Sequence, residues 1–172
     1  MADLARRLAR LRVPLGFAAA AVTLLLAQPT WVSWRLGFFV AIAGEAMRIW
    51  AAGHLEKSRE VTRTGPYRFT GHPLYVGSSV MAAGIVLAAR SVVATIVVGV
   101  YMVATLTAAV RTEEAFLRRA FGPTYDEYRA SRGEPIARRF SWTRAMRNRE
   151  YRAAAGLAIG FALLALRILV PL

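Results

Sequence analysis

T-G-P-Y-R-F-T-G-H-P-L-Y-V-G, residues 64–77, is a polar interruption between two apolar segments of the chain. It holds two prolines, three glycines, two tyrosines, an arginine and one of only two histidines. Pro73 opens the next apolar run. Proline suits the first turn of a helix, because its missing N–H has no helical partner there. His72 is therefore expected at the mouth of a helix, where unpaired N–H groups and the helix dipole favour an anion. The stretch reads as a polar ligand cradle at a membrane surface. The plainer alternative is a connecting turn with interfacial tyrosines.

Working outward, the flanking sequence is apolar in long blocks. Hydrophobic residues make up 56% of the 172, which points to one all-α membrane domain rather than a soluble one. Five segments approach the ~20 residues needed to cross a bilayer: 14–34, 36–55, 73–89, 91–110 and 153–172. Only Arg90 separates the third from the fourth, so they form a tight helical hairpin. Trp31 and Trp34 mark an interface at the end of the first, and the first hairpin turns at Gln28–Pro29 or at Gly37. Residues 1–12 alternate arginine with leucine and alanine and suit a surface helix. No A-x-A-like cleavage site follows, so the first span is expected to be retained.

The formal charge is +13. No nucleic-acid motif accompanies it, and basic flanks of membrane spans explain it. Arginines crowd three regions: before the first span, around residues 57–68, and throughout 111–152. The positive-inside rule then places the N-terminus, the 64–77 loop and the 111–152 segment together in the cytoplasm, as for a bacterial inner-membrane protein. There is no cysteine, which excludes thiolate metal sites and cysteine nucleophiles. Two histidines are too few for a histidine-rich metal site.

Several residues are candidates for chemistry. Glu45 and Arg48 lie three apart inside the second span, on one helix face, and ionisable residues at membrane depth are functional candidates. The alternative is a structural ion bridge. His54 ends that span and reads as interfacial or functional. The fourth helix is expected to run past the bilayer as the amphipathic R-T-E-E-A-F-L-R-R-A-F. That extension brings in Glu113 and Glu114, acceptors for an amine or for ribose hydroxyls, or else a solvated charge pair. Gly122 suits its C-cap and Pro123 the start of a short helix carrying Tyr125 and Tyr128. Residues 131–148 read as polar loop or surface helix.

These elements match a known pattern. G-P-Y-R-x-x-x-H-P-x-Y-x-G at 65–77, R-T-E-E at 111–114, F-G-P-T-Y-D-E-Y at 121–128 and G-E-x-x-R at 44–48 occur in order. The chain resembles the isoprenylcysteine carboxyl methyltransferase family and the wider group that includes phospholipid methyltransferases, as a short bacterial-type member. The resemblance implies a membrane enzyme that uses S-adenosylmethionine, with its pocket between the loop before the third helix and the extension of the fourth. It implies cofactor contacts from Gly65, Pro66, Tyr67, His72, Pro73, Tyr75 and Gly77, and from Glu113 and Glu114. Arg48, with Glu45 beside it, would orient the acceptor at the methyl-transfer centre. In one departure, Gly71 stands where the family usually carries an arginine before His-Pro, and Arg68 or Arg63 is expected to replace it.

The expected acceptor is lipophilic and reaches the site from the bilayer. The leading expectation is a carboxylate, such as an isoprenylcysteine-like acid, held bidentately by Arg48; the alternative is a phospholipid or other amine, or a thiol, whose proton passes to Glu45 or another acceptor. Two further readings stay open. One is a membrane reductase using a nicotinamide cofactor, and the other is a non-enzymatic lipid-binding protein.

Overall fold

The structure, a computed structural model, describes residues 2–130 and 138–170, leaving aside the side chains of residues 2–10 and 12. Among the described residues there are seven α-helices and no strand. They are α1 (Ala2–Leu26), α2 (Trp31–His54), α3 (Pro73–Ala89), α4 (Val92–Phe121), α5 (Pro123–Arg129), α6 (Trp142–Arg147) and α7 (Tyr151–Leu169). One 3₁₀ turn, Gly65–Arg68, precedes α3. By length and composition α2, α4 and α7 can each cross a membrane, and Val13–Leu26 and Pro73–Ala89 are shorter apolar helices. Val93, Ile96, Val100 and Val103 of α4 are exposed. Such an apolar surface suits lipid rather than water.

The first hairpin differs from the expected boundaries. The basic start and the first apolar segment form one continuous helix, with Pro14 inside it. The turn lies at residues 27–30, at the Gln28–Pro29 alternative rather than at Gly37. Thr30 then starts α2 with a capping box, in which Ser33 N–H donates to the Thr30 hydroxyl and Thr30 N–H to the Ser33 hydroxyl. These reciprocal bonds satisfy donors that a helix start otherwise leaves unpaired. Trp31 and Trp34 therefore belong to α2. Trp34 stacks on Phe38 at 5.1 Å and its indole N–H donates to the Phe161 carbonyl at 2.9 Å, fastening α7 to α2. Gly37 is a packing position in mid-helix, not a turn.

Elsewhere the boundaries follow the sequence. Arg90 closes α3 in the left-handed region (φ 50°), and the Ser91 side chain caps α4. α4 runs unbroken to Phe121, Gly122 ends it at φ 47°, and Pro123 opens α5. Of the stretch expected to be loop or surface helix, residues 142–147 form α6 and residues 131–137 lie outside the described residues, as do residues 171–172 of the last expected span.

The α2–α3 contact positions the site, and it is made by small residues. A Cβ on Gly44 would meet Met81 N at 2.6 Å and the Gly77 carbonyl at 2.7 Å. One on Gly84 would meet Ala41 N and the Gly37 carbonyl, each at 2.5 Å. Glycine and alanine on both faces let the backbones touch, as is usual where helices pack in lipid. Gly77 lies against Arg48, whose Cγ is 2.6 Å from its would-be Cβ. The absent side chain leaves the Arg48 stem room to cross onto the first turns of α3.

Candidate functional site

Arg48 ends that crossing. Its Nε donates to Glu150 Oε1 at 2.7 Å, and its Nη1 donates to the Ser78 hydroxyl and to the Leu74 carbonyl at 3.4 Å. Glu45, one turn earlier, is more distant at 3.7 Å from Nε. Both Glu45 oxygens are buried without a hydrogen bond among the described residues. The principal partner of Arg48 is therefore Glu150, 102 residues away, and not the neighbour suggested by helical spacing.

Glu150 is placed by a strap that closes over the C-terminal end of α2. Arg144 donates to the Gly53 carbonyl at 2.6 Å and to Glu56 at 2.7 Å. The Asn148 amide donates to the Ala52 and Leu55 carbonyls, each at 2.9 Å, and Ser141 N–H donates to the Gly53 carbonyl at 3.1 Å. These donors satisfy carbonyls that a helix end leaves open. Arg138 pairs with Glu60, and the hydrogen bond from Arg144 holds the Glu56 carboxyl below its ordinary range. Glu150 then follows directly, buried at the start of α7.

The 64–77 loop is held from three sides. Gly65 takes φ +57°, and a Cβ there would strike the His54 ring, at 2.5 Å from Cδ2. His54 Nδ1 lies 3.0 Å from the Thr64 hydroxyl, so His54 is a buried support of the loop rather than an interfacial residue. From α5, the Tyr128 hydroxyl donates to the Tyr67 carbonyl at 2.7 Å. Arg63 donates to the Thr124 carbonyl at 2.8 Å.

His72 is the N-cap residue of α3 and stands between two carboxylates of α4. Its Nε2 is 3.4 Å from Glu114 Oε1 and its Nδ1 is 3.5 Å from Glu113 Oε2. Neither contact is tight, and Nδ1 is buried without a hydrogen bond. Glu113 first, then Glu114, raise the pKa of His72 against the opposing effect of burial. The ring stacks on Tyr75 at 5.6 Å.

A cavity of about 750 Å³ joins these groups. Tyr67, His72, Tyr75 and Glu113 line one part, Arg48 and Glu150 another, and Tyr101, Met102 and Leu106 of α4 an apolar part. The expected residues thus divide. Arg48, Tyr67, His72, Tyr75 and Glu113 reach the cavity; Glu45, Gly65, Pro66, Pro73, Gly77 and Glu114 do not line it. Gly65 and Gly77 shape the wall by close packing, Pro66 and Pro73 are buried in it, and Glu114 braces His72 from behind. Burial raises the pKa of the Tyr67 and Tyr128 phenols, so both are neutral hydroxyls.

Sequence reasoning missed Glu150, Ser78 and Arg129. Glu150 left one signal, as the only acidic residue after Glu134, placed directly before an apolar span. Arg129 lies with its Nη1 3.6 Å from Glu114 Oε1 and 3.8 Å from the would-be Cβ of Gly71. The cation beside Gly71 is therefore neither Arg63, which is committed to Thr124, nor Arg68, which is exposed and makes no hydrogen bond or ion pair among the described residues.

A helical membrane scaffold with this ordered set of motifs defines a class of membrane methyltransferases. Residues 12–124, about two thirds of the chain, match the phospholipid methyltransferase family, and the chain belongs to it. It is 32% identical over 105 residues to the nickel-cobalt-cadmium resistance protein NccN of Alcaligenes xylosoxydans xylosoxydans, covering 58% of this chain and 48% of that protein. It is 33% identical over 107 residues to the cobalt-zinc-cadmium resistance protein CzcN of Cupriavidus metallidurans, again covering 58% and 48%. The chain thus spans about half the length of the curated relatives it matches. No solved structure matches it. Among the described residues, no group of three or more His, Cys, Asp or Glu side chains is arranged to hold a metal ion. Glu113 and Glu114 approach opposite nitrogens of His72 and do not converge on one point.

Proposed function

We propose that the chain is an S-adenosylmethionine-dependent methyltransferase that modifies a lipophilic acceptor, with its cavity at the cytoplasmic side of a five-span bundle. The observation that carries this reading is the single cavity shared by the His72–Tyr75–Glu113 wall and the Arg48–Glu150 pair. Its volume falls within the ~300–1,000 Å³ of small-molecule sites. The residues suit the donor. Glu113 offers an acceptor for its ammonium or ribose, Tyr67 and Tyr75 line the cavity beside it and offer ring faces for adenine or the sulfonium, and His72 Nδ1, 3.5 Å from Glu113, is a buried polar atom without a hydrogen bond. When bound, the sulfonium supplies an activated methyl group. Family membership favours this donor over a nicotinamide.

The chain's own contribution is position and charge. Methyl transfer forms one bond from the acceptor's lone pair to carbon and breaks the carbon–sulfur bond, whose electrons return to sulfur. Holding the acceptor in line, away from water, supplies most of what such a step needs. The Arg48 arrangement supports an amine acceptor over a carboxylate. Its Nε and Nη1 are already engaged, and Glu45 stands beside it, 3.7 Å from Nε and with no hydrogen bond of its own. An acid acceptor would be a third carboxylate around one guanidinium. An amine instead meets Glu150, which lines the cavity and can offset the cation and take the proton that nitrogen releases. The apolar α4 wall admits a lipid chain from the side.

The test is calorimetric titration of detergent-purified protein with S-adenosylhomocysteine, and separately with a reduced nicotinamide. Labelled methyl donor is then offered to lipophilic amines, acids and thiols. Binding of the homocysteine product and labelling of an amine are expected. Folded protein that binds neither ligand overturns the enzyme reading, and labelling of acids alone overturns the amine assignment.

A further inference from the structure

We propose that Arg129 binds the carboxylate of the donor's amino-acid end at the rim of the cavity, through the opening left by Gly71. The proposal rests on the methyl-donor reading above and adds a residue and a recognition rule to it. Gly71 lines the cavity between the 3₁₀ turn and His72 and contributes no side chain. The nearest atoms to its would-be Cβ are Arg129 Nη1 at 3.8 Å and Tyr128 Oη at 4.0 Å. Both are ordinary van der Waals distances, so the position has room. The head of Arg129 stands beside that room.

Three observations place the half-exposed guanidinium there. Tyr128, the preceding residue, is bonded to the Tyr67 carbonyl and so ties α5 to the loop. Arg63 makes a second tie, to Thr124 at the start of α5. Glu114 lies 3.6 Å from Arg129 Nη1, close enough to orient the charge. That distance exceeds a hydrogen bond, and the Arg129 side chain makes no hydrogen bond among the described residues. Its planar fork of donors is thus available, and such a fork matches a carboxylate bidentately. Arg48, the other arginine at this cavity, has spent Nε and Nη1 on its own partners.

The charges around the rim then fit a zwitterion. Glu113 presents a negative group inside the cavity and Arg129 a positive one at its edge, with His72 braced between Glu113 and Glu114. An α-amino acid end carries the complementary pair, an ammonium and a carboxylate on one carbon. Lys57 also lines the cavity, as a flexible point charge rather than a fork, and serves as the control.

The experiment compares two ligands on detergent-purified protein by calorimetry. One is S-adenosylhomocysteine; the other is its decarboxylated analogue, which keeps the amine, sulfur and nucleoside. Arg129→Ala is expected to weaken S-adenosylhomocysteine by about tenfold or more, as for lost charge-assisted bonds. The analogue should change by no more than about twofold. Lys57→Ala should show no such selectivity between the ligands, and Gly71→Arg in the Arg129→Ala background should recover most of the lost affinity. Equal losses for both ligands in Arg129→Ala overturn the proposal, since that is the signature of a residue that only supports Glu114 and α5. Wild-type protein that binds neither ligand removes the methyl-donor reading and this proposal with it. Wild-type binding that is indifferent to Arg129→Ala removes the proposal alone.

Discussion

Removing Glu150 leaves Arg48 partly compensated, whereas removing Arg48 strands two carboxylates. This asymmetry is testable. The Arg48 side chain is 20% exposed and Glu150 only 5%. Breaking a buried pair from one side costs about 3–5 kcal/mol. In Glu150→Ala, Arg48 keeps Glu45 at 3.7 Å, Ser78 and the Leu74 carbonyl, so the loss should fall to roughly 2–3 kcal/mol. Arg48→Ala leaves Glu45 and Glu150 buried together without a cation and should cost the full ~3–5 kcal/mol or more. The double variant should lose less than the sum of the singles by at least about 1 kcal/mol, because the second change removes a charge that the first stranded. Reversible unfolding in mixed micelles by SDS titration, monitored by circular dichroism, reads all three. Additive losses, or a Glu150→Ala variant within about 0.5 kcal/mol of wild type, would refute the pairing and with it the charge argument for an amine acceptor.

Raising pH tests the His72 bracket. The two carboxylates raise the folded-state pKa, so the stabilisation from the charged ring is complete below the unfolded value of about 6.5 and is lost as pH rises through the higher folded value. The thermal midpoint of wild type should therefore fall across that window relative to His72→Gln; parallel profiles would dismiss it. Gly84→Leu should separate α2 from α3, because its Cβ already meets Ala41 N and the Gly37 carbonyl at 2.5 Å. Loss of folded yield is expected, against a small effect for Gly156→Leu, where nothing lies within 4 Å. Tyr128→Phe deletes the 2.7 Å bond to the Tyr67 carbonyl and should cost about 1 kcal/mol, read as a lower unfolding midpoint and faster amide exchange at residues 67–70. Unchanged exchange there would show that α5 does not hold the loop.

The helices were legible where local chemistry decides them. Pro73, Arg90–Ser91 and Gly122–Pro123 fall at boundaries because proline, a left-handed cap and a glycine stop act within one turn of chain. The turn at Gln28–Pro29 was legible, but the end of the first span was misplaced, because a tryptophan pair looks the same in sequence whether it marks an interface or packs inward. Only the Phe161 carbonyl, 127 residues from Trp34, decides between them. The composition of the polar loop marked it as a candidate site and it does line the cavity, yet the division of labour within it was not legible. Gly65, Gly77 and Pro73 are wall rather than lining, and whether Glu113 or Glu114 turns toward the cavity depends on the rotation of α4 against α3. Adjacent residues on a helix point about 100° apart, so a Glu-Glu pair offers one group to each side.

The arginine-rich stretch after α5 shows why the chemistry at Arg48 could not be read from spacing. Composition assigns those arginines to the lipid headgroups, and for exposed ones that is sufficient. Arg138 and Arg144 instead spend their charge on Glu60, Glu56 and the Gly53 carbonyl. Together with Asn148 they close the end of α2, which otherwise has Ala52, Gly53 and Leu55 carbonyls without donors from its own helix. Closing it fixes the direction in which the chain enters α7, and that direction delivers Glu150 to Arg48. The carboxylate that sets the charge of the site therefore arrives as a consequence of capping a helix elsewhere. A perturbation of the strap should accordingly reach the site: Asn148→Ala, which touches Ala52 and Leu55 but not Arg48, should loosen Glu150 and lower turnover while sparing donor affinity at the His72 wall. An equal loss in donor affinity would mean that strap and wall are one cooperative unit, and the separation of acceptor and donor ends drawn above would fail.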